Sequence, residues 1–171
     1  MTTDPEGSIE SGEFRAALGR FASGITIMST LQGGVAHAMT ANAFTSVSLD
    51  PPLVLVCVDH GVRMHDAVLD CGYWAMSVLT DSHRELAGRF AKSGRDLYGQ
   101  FDGVATQAGP KTGCPLIEGA LSWLECRTWA TYPGGDHTIV VGEVLSLGSG
   151  QPDDPTALIY YDGQYRALKG S

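Results

Sequence analysis

Apolar residues fall mostly in short runs of strand length, either alternating with polar ones or continuous, and glycine-rich turns separate them. Ile25-Thr26-Ile27-Met28-Ser29-Thr30 alternates as a strand, and Gln32-Gly33-Gly34 predicts a hairpin turn into a second strand, Val35 to Phe44. Leu53 to Val58 is a continuous apolar run, the pattern of a strand buried on both faces. Tyr73 to Leu79 reads as another strand. Two long strands, Ala120 to Tyr132 and His137 to Leu147, meet at the turn Pro133-Gly134-Gly135-Asp136. Ala157 to Tyr161 then turns at Asp162-Gly163 into Gln164 to Leu168. Helical spacing is confined to three places. Ser11 to Phe21 carries Phe14, Leu18 and Phe21 at i, i+4 and i+7, with Ser11 as N-cap and Gly24 beyond its end. A helical turn covers Met64 to Leu69. Ser82-His83-Arg84-Glu85 has the spacing of a capping box and opens a helix whose Leu86, Ala87, Phe90 and Ala91 line one face.

Hairpins dominate and strands do not alternate strictly with helices, which argues against a parallel sheet. The predicted class is mainly β: an antiparallel Greek-key barrel with a few short helices. Glycine and proline punctuate Lys92 to Gly119, and Gly148 to Pro155 is polar, so both read as loops. Residues 11–171 form one domain behind a flexible N-terminal tail, residues 1–10. Apolar residues make up 43% of the 171, enough for a substantial core.

Charge narrows the function classes. Nineteen acidic residues against eleven Lys and Arg give a net charge of −8, with no basic run, which argues against nucleic-acid binding. An anionic ligand would need local cations or backbone amides working against that background. No apolar run approaches the ~18–20 residues of a membrane-spanning helix. The first seven residues lack the basic and apolar regions of a signal peptide. Four cysteines, none in a C-x-x-C pair, predict a reduced, cytoplasmic protein, with Cys57 and Cys126 packed as small hydrophobes. Five histidines show no metal-ligand spacing beyond His60 and His65 at i, i+5, so no metal site is expected.

Two segments carry candidate chemistry. From Ala38 to Val54, two strands meet at a Pro-Pro corner, and Ala, Thr and Ser crowd positions where a core strand carries Val, Ile and Leu. Such a strand either lets a flat polar ligand lie against its backbone or is a poorly packed edge facing water. In Gly134-Gly135-Asp136-His137, the histidine either contacts a ligand at the barrel mouth or caps the turn through Asp136. Gly142 in mid-strand predicts a bulge or a close neighbour above it. Trp123 and Trp129 share a parity on one strand, which favours core over a subunit contact. A Rossmann fingerprint, a nucleophile elbow and a P-loop are all absent.

These segments, with Pro51-Pro52-Leu53-Val54, Leu86-Ala87-Gly88-Arg89-Phe90-Ala91, Gly119 to Cys126 and Tyr160 to Arg166, resemble the short-chain flavin reductases. Those are the reductase components of two-component flavin-dependent monooxygenases and halogenases, and the resemblance runs from about Phe14 to Leu168. It implies a split-barrel flavin-binding fold, a homodimer, and hydride transfer from NADH (NADPH being the other option) to FAD or FMN. Reduced flavin would diffuse to a partner oxygenase. The resemblance places flavin against Met39, Thr40, Ala41, Asn42 and Ala43, and against Ser46, Val47 and Ser48. It adds Cys57, Val58, Asp59, Arg63, Phe90, Ala91 and Tyr165 to the cofactor contacts and puts His137 at the nicotinamide as the catalytic residue. Val62, Met64 and Leu97 depart from the family, which often has Ser or Thr at the first two and a cation at the third. Flavin is therefore expected to bind weakly and exchange, unless Arg63, His60 or backbone amides hold its phosphate. Two alternatives are a non-catalytic flavin- or haem-binding split barrel, separable by flavin-stimulated NADH oxidation, and an oxidase related to pyridoxamine phosphate oxidase. The latter requires a basic pocket that the few cations between 111 and 171 hardly supply.

Overall fold

The structure, a computed structural model, describes residues 9–168. The expected tail lies outside them except for Ile9 and Glu10, which are exposed. Helix α1 (Ser11–Leu18) leads into strands β1 (Ser23–Gly24), β2 (Thr26–Gln32), β3 (Val35–Ala41), β4 (Phe44–Leu49) and β5 (Pro52–Asp59). Helix α2 (Arg63–Cys71), strand β6 (Tyr73–Val78), a 3-10 turn (Asp81–His83) and helix α3 (Arg84–Ala91) follow. Two short strands, β7 (Thr106–Ala108) and β8 (Pro115–Ile117), interrupt the expected loop. The chain closes with β9 (Ser122–Gly134), β10 (His137–Ser149), β11 (Ala157–Tyr161) and β12 (Gln164–Leu168).

The strand pairs are all antiparallel. Seven strands form the main sheet in the order β3-β2-β6-β9-β10-β5-β4, and β1-β11-β12 form a smaller one. The two edges of the main sheet, β3 and β4, are consecutive in the chain and joined only by Asn42 and Ala43. The sheet must therefore curl until its edges meet at that corner without pairing along their length, which leaves a barrel split on one side. At the β2–β3 hairpin, Gly33 and Gly34 have φ of +58° and +83°, the mirror-image turn that matches strand twist and that a side chain would disfavour.

Inside the barrel, Met28, Val56, Val58, Trp74, Met76 and Val140 form one buried cluster; Ile25, Ile27, Leu79, Ala87, Phe90 and Leu158 form a second under α3. Gly142 meets both expectations at once. A Cβ there would enter the Trp74 ring and lie 2.9 Å from Cys126 Cβ, and the β9–β10 register slips at the same place.

Five local expectations are corrected. Helix α1 ends at Leu18 with Gly19 as its C-cap, and it buries none of its residues; Phe14, Leu18 and Phe21 are all exposed. Its N-cap is Glu10, not Ser11. The capping box does not form, because Ser82 Oγ shares a hydrogen bond of 2.6 Å with Thr80 Oγ1 and a 3-10 turn precedes α3. Strand β5 is fully buried on one face only: Val54, Val56 and Val58 point inward, while Leu53, Leu55 and Cys57 are half-buried, since β5 neighbours the edge strand β4. Trp129 is exposed, not core. Val141 pairs Ala130 and Gly142 pairs Thr128, so Trp129 is the extra residue of a bulge, and parity counted from Trp123 no longer applies.

Candidate functional site

A cavity of about 290 Å³ opens where β3, the Asn42-Ala43 corner and the end of β5 meet the start of α2, the end of α3 and the loop after it. That is near the lower end of the ~300–1,000 Å³ typical of small-molecule sites.

One wall is the small-residue strand. Met39, Thr40, Ala41, Asn42 and Ala43 all line the cavity. Thr40 cannot offer its hydroxyl proton, because Thr40 Oγ1 donates to Ala87 O at 2.7 Å and ties β3 to α3. Cys57 and Asp59 face the cavity from β5, and burial pushes the Cys57 thiol pKa up. Asp59 Oδ1 accepts from Gly61 N at 2.6 Å, which turns the chain toward Arg63. Phe90 and Ala91 line the opposite side at the end of α3.

His137 stands at the mouth as the first residue of β10, opposite Asp59. Its Nδ1 lies 2.7 Å from Asp136 Oδ1. Nδ1–H donating to that carboxylate fixes the ring and leaves Nε2 for another partner. The same bond, with the charge that His137 can carry, holds the Asp136 pKa below the usual carboxylate value. His137 thus caps the turn through Asp136 while lining the cavity mouth. Beside it, His60 Nε2 and His65 Nε2 converge on Thr138 Oγ1 at 3.2 and 2.9 Å. His60 is therefore committed outside the cavity lining. Among the described residues, no three His, Cys, Asp or Glu side chains gather as a metal site.

Five expected contacts are not brought to the cavity. Val58 has the opposite parity to Cys57 and Asp59 and packs in the barrel core. Tyr165 sits on β12 in the smaller sheet, its ring 5.7 Å from that of Tyr160. Ser46, Val47 and Ser48 lie on β4, beyond the corner; Ser46 and Val47 are exposed, and a register slip falls between Ser46 and Ser48.

Sequence reasoning missed His37, Lys92, Arg95 and Gln100. Arg95 Nη2 donates to Ala38 O at 2.8 Å, Arg95 Nη1 donates to Lys92 O, and the guanidinium carbon lies 5.4 Å from the centre of the Phe90 ring. Arg63 Nη2 in turn donates to Arg95 O. Val62, Met64 and Leu97 line this end of the cavity as well. Burial, then the charges of Arg63 and Arg89, lower the Arg95 pKa; burial and Arg63 lower that of His37.

Residues 18–169 match the flavin reductase like domain. The chain belongs to the flavin reductase family. It is 40% identical over 169 residues to the NADH-dependent flavin reductase of a Rhodococcus species, covering 97% of this chain and 90% of that one. It resembles BorF, the flavin reductase component of a bacterial two-component tryptophan halogenase, with a TM-score of 0.88 and 42% identity over 95% of this chain and all of the other. It also resembles the Streptomyces globisporus NADH:FAD oxidoreductase SgcE6, solved with NAD and FAD fragments. There the TM-score is 0.86 and the identity 36%, over 99% of this chain and 97% of that one. The split-barrel expectation for a flavin reductase is met, and a cavity wall of small residues with cations at one end suits a flat ring that carries phosphate. The Arg95 Nε is buried without a hydrogen-bond partner among the described residues.

Proposed function

We propose that the cavity is where an NADH-dependent flavin reductase of the two-component kind brings its two substrates together. The observation that carries this is the convergence, in one cavity, of the open β3 backbone, His137 and the cationic wall. Flavin, when bound, supplies the hydride acceptor for the nicotinamide. The chain supplies alignment. Met39 to Ala43 present a flat backbone surface, Phe90 and Cys57 exclude water, and His137 orients the nicotinamide through Nε2 with its ring fixed by Asp136. FAD or FMN is the flavin substrate and NADH the favoured donor. The reduced product leaves for a separate flavin-dependent oxygenase, as the names of the two-component relatives suggest.

The cavity of one chain is small for a dinucleotide, and a homodimer completes it. Strand β4 is an exposed sheet edge with Val47 and Leu49 in solvent, and the apolar side of α1 is uncovered. Both are surfaces that a second copy would cover. In that assembly Ser46, Val47 and Ser48 join the flavin contacts. We place the enzyme in the cytoplasm on its four free cysteines; no described helix is long and apolar enough to cross a membrane. The test is NADH oxidation with FAD, FMN and riboflavin supplied in turn. Flavin-dependent turnover is expected, and flavin binding without turnover would instead support the non-catalytic module. Light scattering at micromolar concentration should give twice the 18.1 kDa chain mass.

A further inference from the structure

His137 is held from both sides by a cluster outside the cavity lining. On one side, His60 N donates to Asp136 O at 3.0 Å. On the other, His60 Nε2 and His65 Nε2 lie 3.2 and 2.9 Å from Thr138 Oγ1, and the two rings meet edge to face with centroids 4.9 Å apart. Side-chain alternation explains the arrangement. His137 lines the cavity, so Thr138, paired with the core residue Val58, turns to the other face of β10, toward α2. A hydroxyl has one proton and two acceptor sites, so it cannot donate to both imidazoles. His65 Nδ1–H is committed to Asp66 Oδ1 at 2.9 Å, which leaves the Nε2 of the neutral ring an acceptor. Thr138 therefore donates to His65, and His60 Nε2–H donates to Thr138. The result is a one-way chain, His60 to Thr138 to His65 to Asp66, that ties the corner between β5 and α2 to the first residues of β10.

Resting on the flavin reductase reading, we infer that His60, Thr138 and His65 are positioning residues for His137, and that a proton added to His65 loosens the grip of His137 on the nicotinamide substrate. The residues on either side of His137 are tied to the same corner, so its backbone shifts only if both ties slip, while Asp136 fixes the ring. Protonated His65 carries N–H at both nitrogens and no longer accepts from Thr138. Two donors then converge on one hydroxyl, whose own proton loses its acceptor, and the positive ring stands against that of His60. The charged and titratable groups around the pair are Arg63 and Asp66 on α2, Asp59 at the end of β5, Asp136 in the turn before β10, and His137 itself.

The test is steady-state NADH oxidation with saturating flavin, from about pH 5 to about pH 8, the span in which imidazoles titrate. Flavin affinity and melting temperature are measured beside it, for the wild type and for Thr138→Val, Thr138→Ser and His65→Gln. Thr138→Val keeps the shape and deletes the hydroxyl. Near neutral pH it should raise the NADH Michaelis constant about threefold to tenfold, the equivalent of one hydrogen bond, and leave kcat and flavin affinity within about twofold. Thr138→Ser should recover most of the loss. Added to His137→Ala, Thr138→Val should cost less than about twofold more, because a tie that acts through His137 then has nothing to position. Toward acid pH, the wild-type Michaelis constant should rise more steeply than that of His65→Gln, whose amide accepts from Thr138 without titrating. An unchanged Michaelis constant in Thr138→Val, an additive loss in the double variant, or parallel pH profiles for wild type and His65→Gln would overturn the inference. A lower melting temperature without the kinetic changes would make the cluster purely structural and overturn it as well. If Thr138→Val does not fold, the His65→Gln profile decides alone. Such failure in an enzyme that still reduces flavin with NADH leaves the flavin reductase reading standing. A wild type that oxidises no NADH with any flavin defeats both.

Discussion

On β5, Val54, Val56 and Val58 turn into the barrel beside Trp74 and Val140, while Cys57 and Asp59 on the same strand face the cavity. A one-residue alternation therefore separates two environments with opposite rules. The barrel interior is filled by apolar side chains in mutual contact, and Thr26 Oγ1 within it donates to Ala41 O at 2.7 Å, although Trp74 Nε1 and Thr128 Oγ1 are buried without a partner among the described residues. The cavity wall keeps cations without carboxylate partners, an unpaired Arg95 Nε and a histidine held toward its neutral form. The interior is held by apolar packing and contains few charged groups, whereas the wall gathers cations with, among the described residues, no carboxylate at ion-pair distance. Stability and ligand selection should accordingly separate under mutation.

The largest effect belongs to the interior. Trp74→Ala removes a fully buried ring and should cost about 3–5 kcal/mol, read as a fall in the denaturant midpoint. The flavin affinity of the molecules that remain folded should hold, and a parallel loss of flavin selectivity would show that the two regions are one unit. His137→Ala comes next. It should raise the NADH Michaelis constant or lower turnover by roughly tenfold, the scale of one lost positioning contact, with flavin affinity little changed. Unchanged steady-state kinetics would remove His137 from the site.

Leu97→Lys separates the sequence expectation from the structure. If position 97 were the missing phosphate cation, its restoration would tighten FMN about tenfold or more. With Arg95 and Lys92 already in place, a gain of less than about threefold is expected by calorimetry, because one more cation adds to the existing repulsion.

His37 gives the smallest effect. Burial and Arg63 lower its pKa below the ordinary 6.5, so the unfolded chain takes up a proton that the folded protein refuses. Stability from this group is therefore present above pH 6.5 and is lost as the pH falls from there toward the lowered folded value. His37→Gln should flatten the decline in melting temperature between about pH 7.5 and pH 5.5 relative to wild type. An unchanged decline would assign it to other groups.

Much of the fold was readable because its signals are local. Gly33-Gly34 and Asp162-Gly163 sit at their hairpin turns with positive φ, and the two long strands pair across the Gly135-Asp136 turn as the pattern requires. Gly142 was readable too, since a glycine inside an apolar strand marks a bulge or a close approach by a neighbour. The misreadings share a cause. The Ser82-x-x-Glu85 spacing is local, but Thr80 competes for the serine hydroxyl. The shared parity of Trp123 and Trp129 holds only if no bulge lies between them and their partner strand, and one does. In α1, helical spacing was correct and burial was not, because periodicity tells which face is apolar and not what covers it.

The sequence by itself determined the antiparallel strands, their turns, the small-residue wall from Met39 to Ala43, and a histidine placed after two glycines. These depend on residues near one another in the chain, where side-chain alternation and glycine's freedom act directly. The tertiary structure alone decided which charges meet. Arg95 reaches Ala38 across fifty-seven positions and Arg63 reaches Arg95 across thirty-two, contacts that depend on where α3 releases its loop over β3. No spacing rule encodes such a meeting, because it follows from the curl of the sheet and the packing of α3, through Thr40 and Ala87, onto its edge.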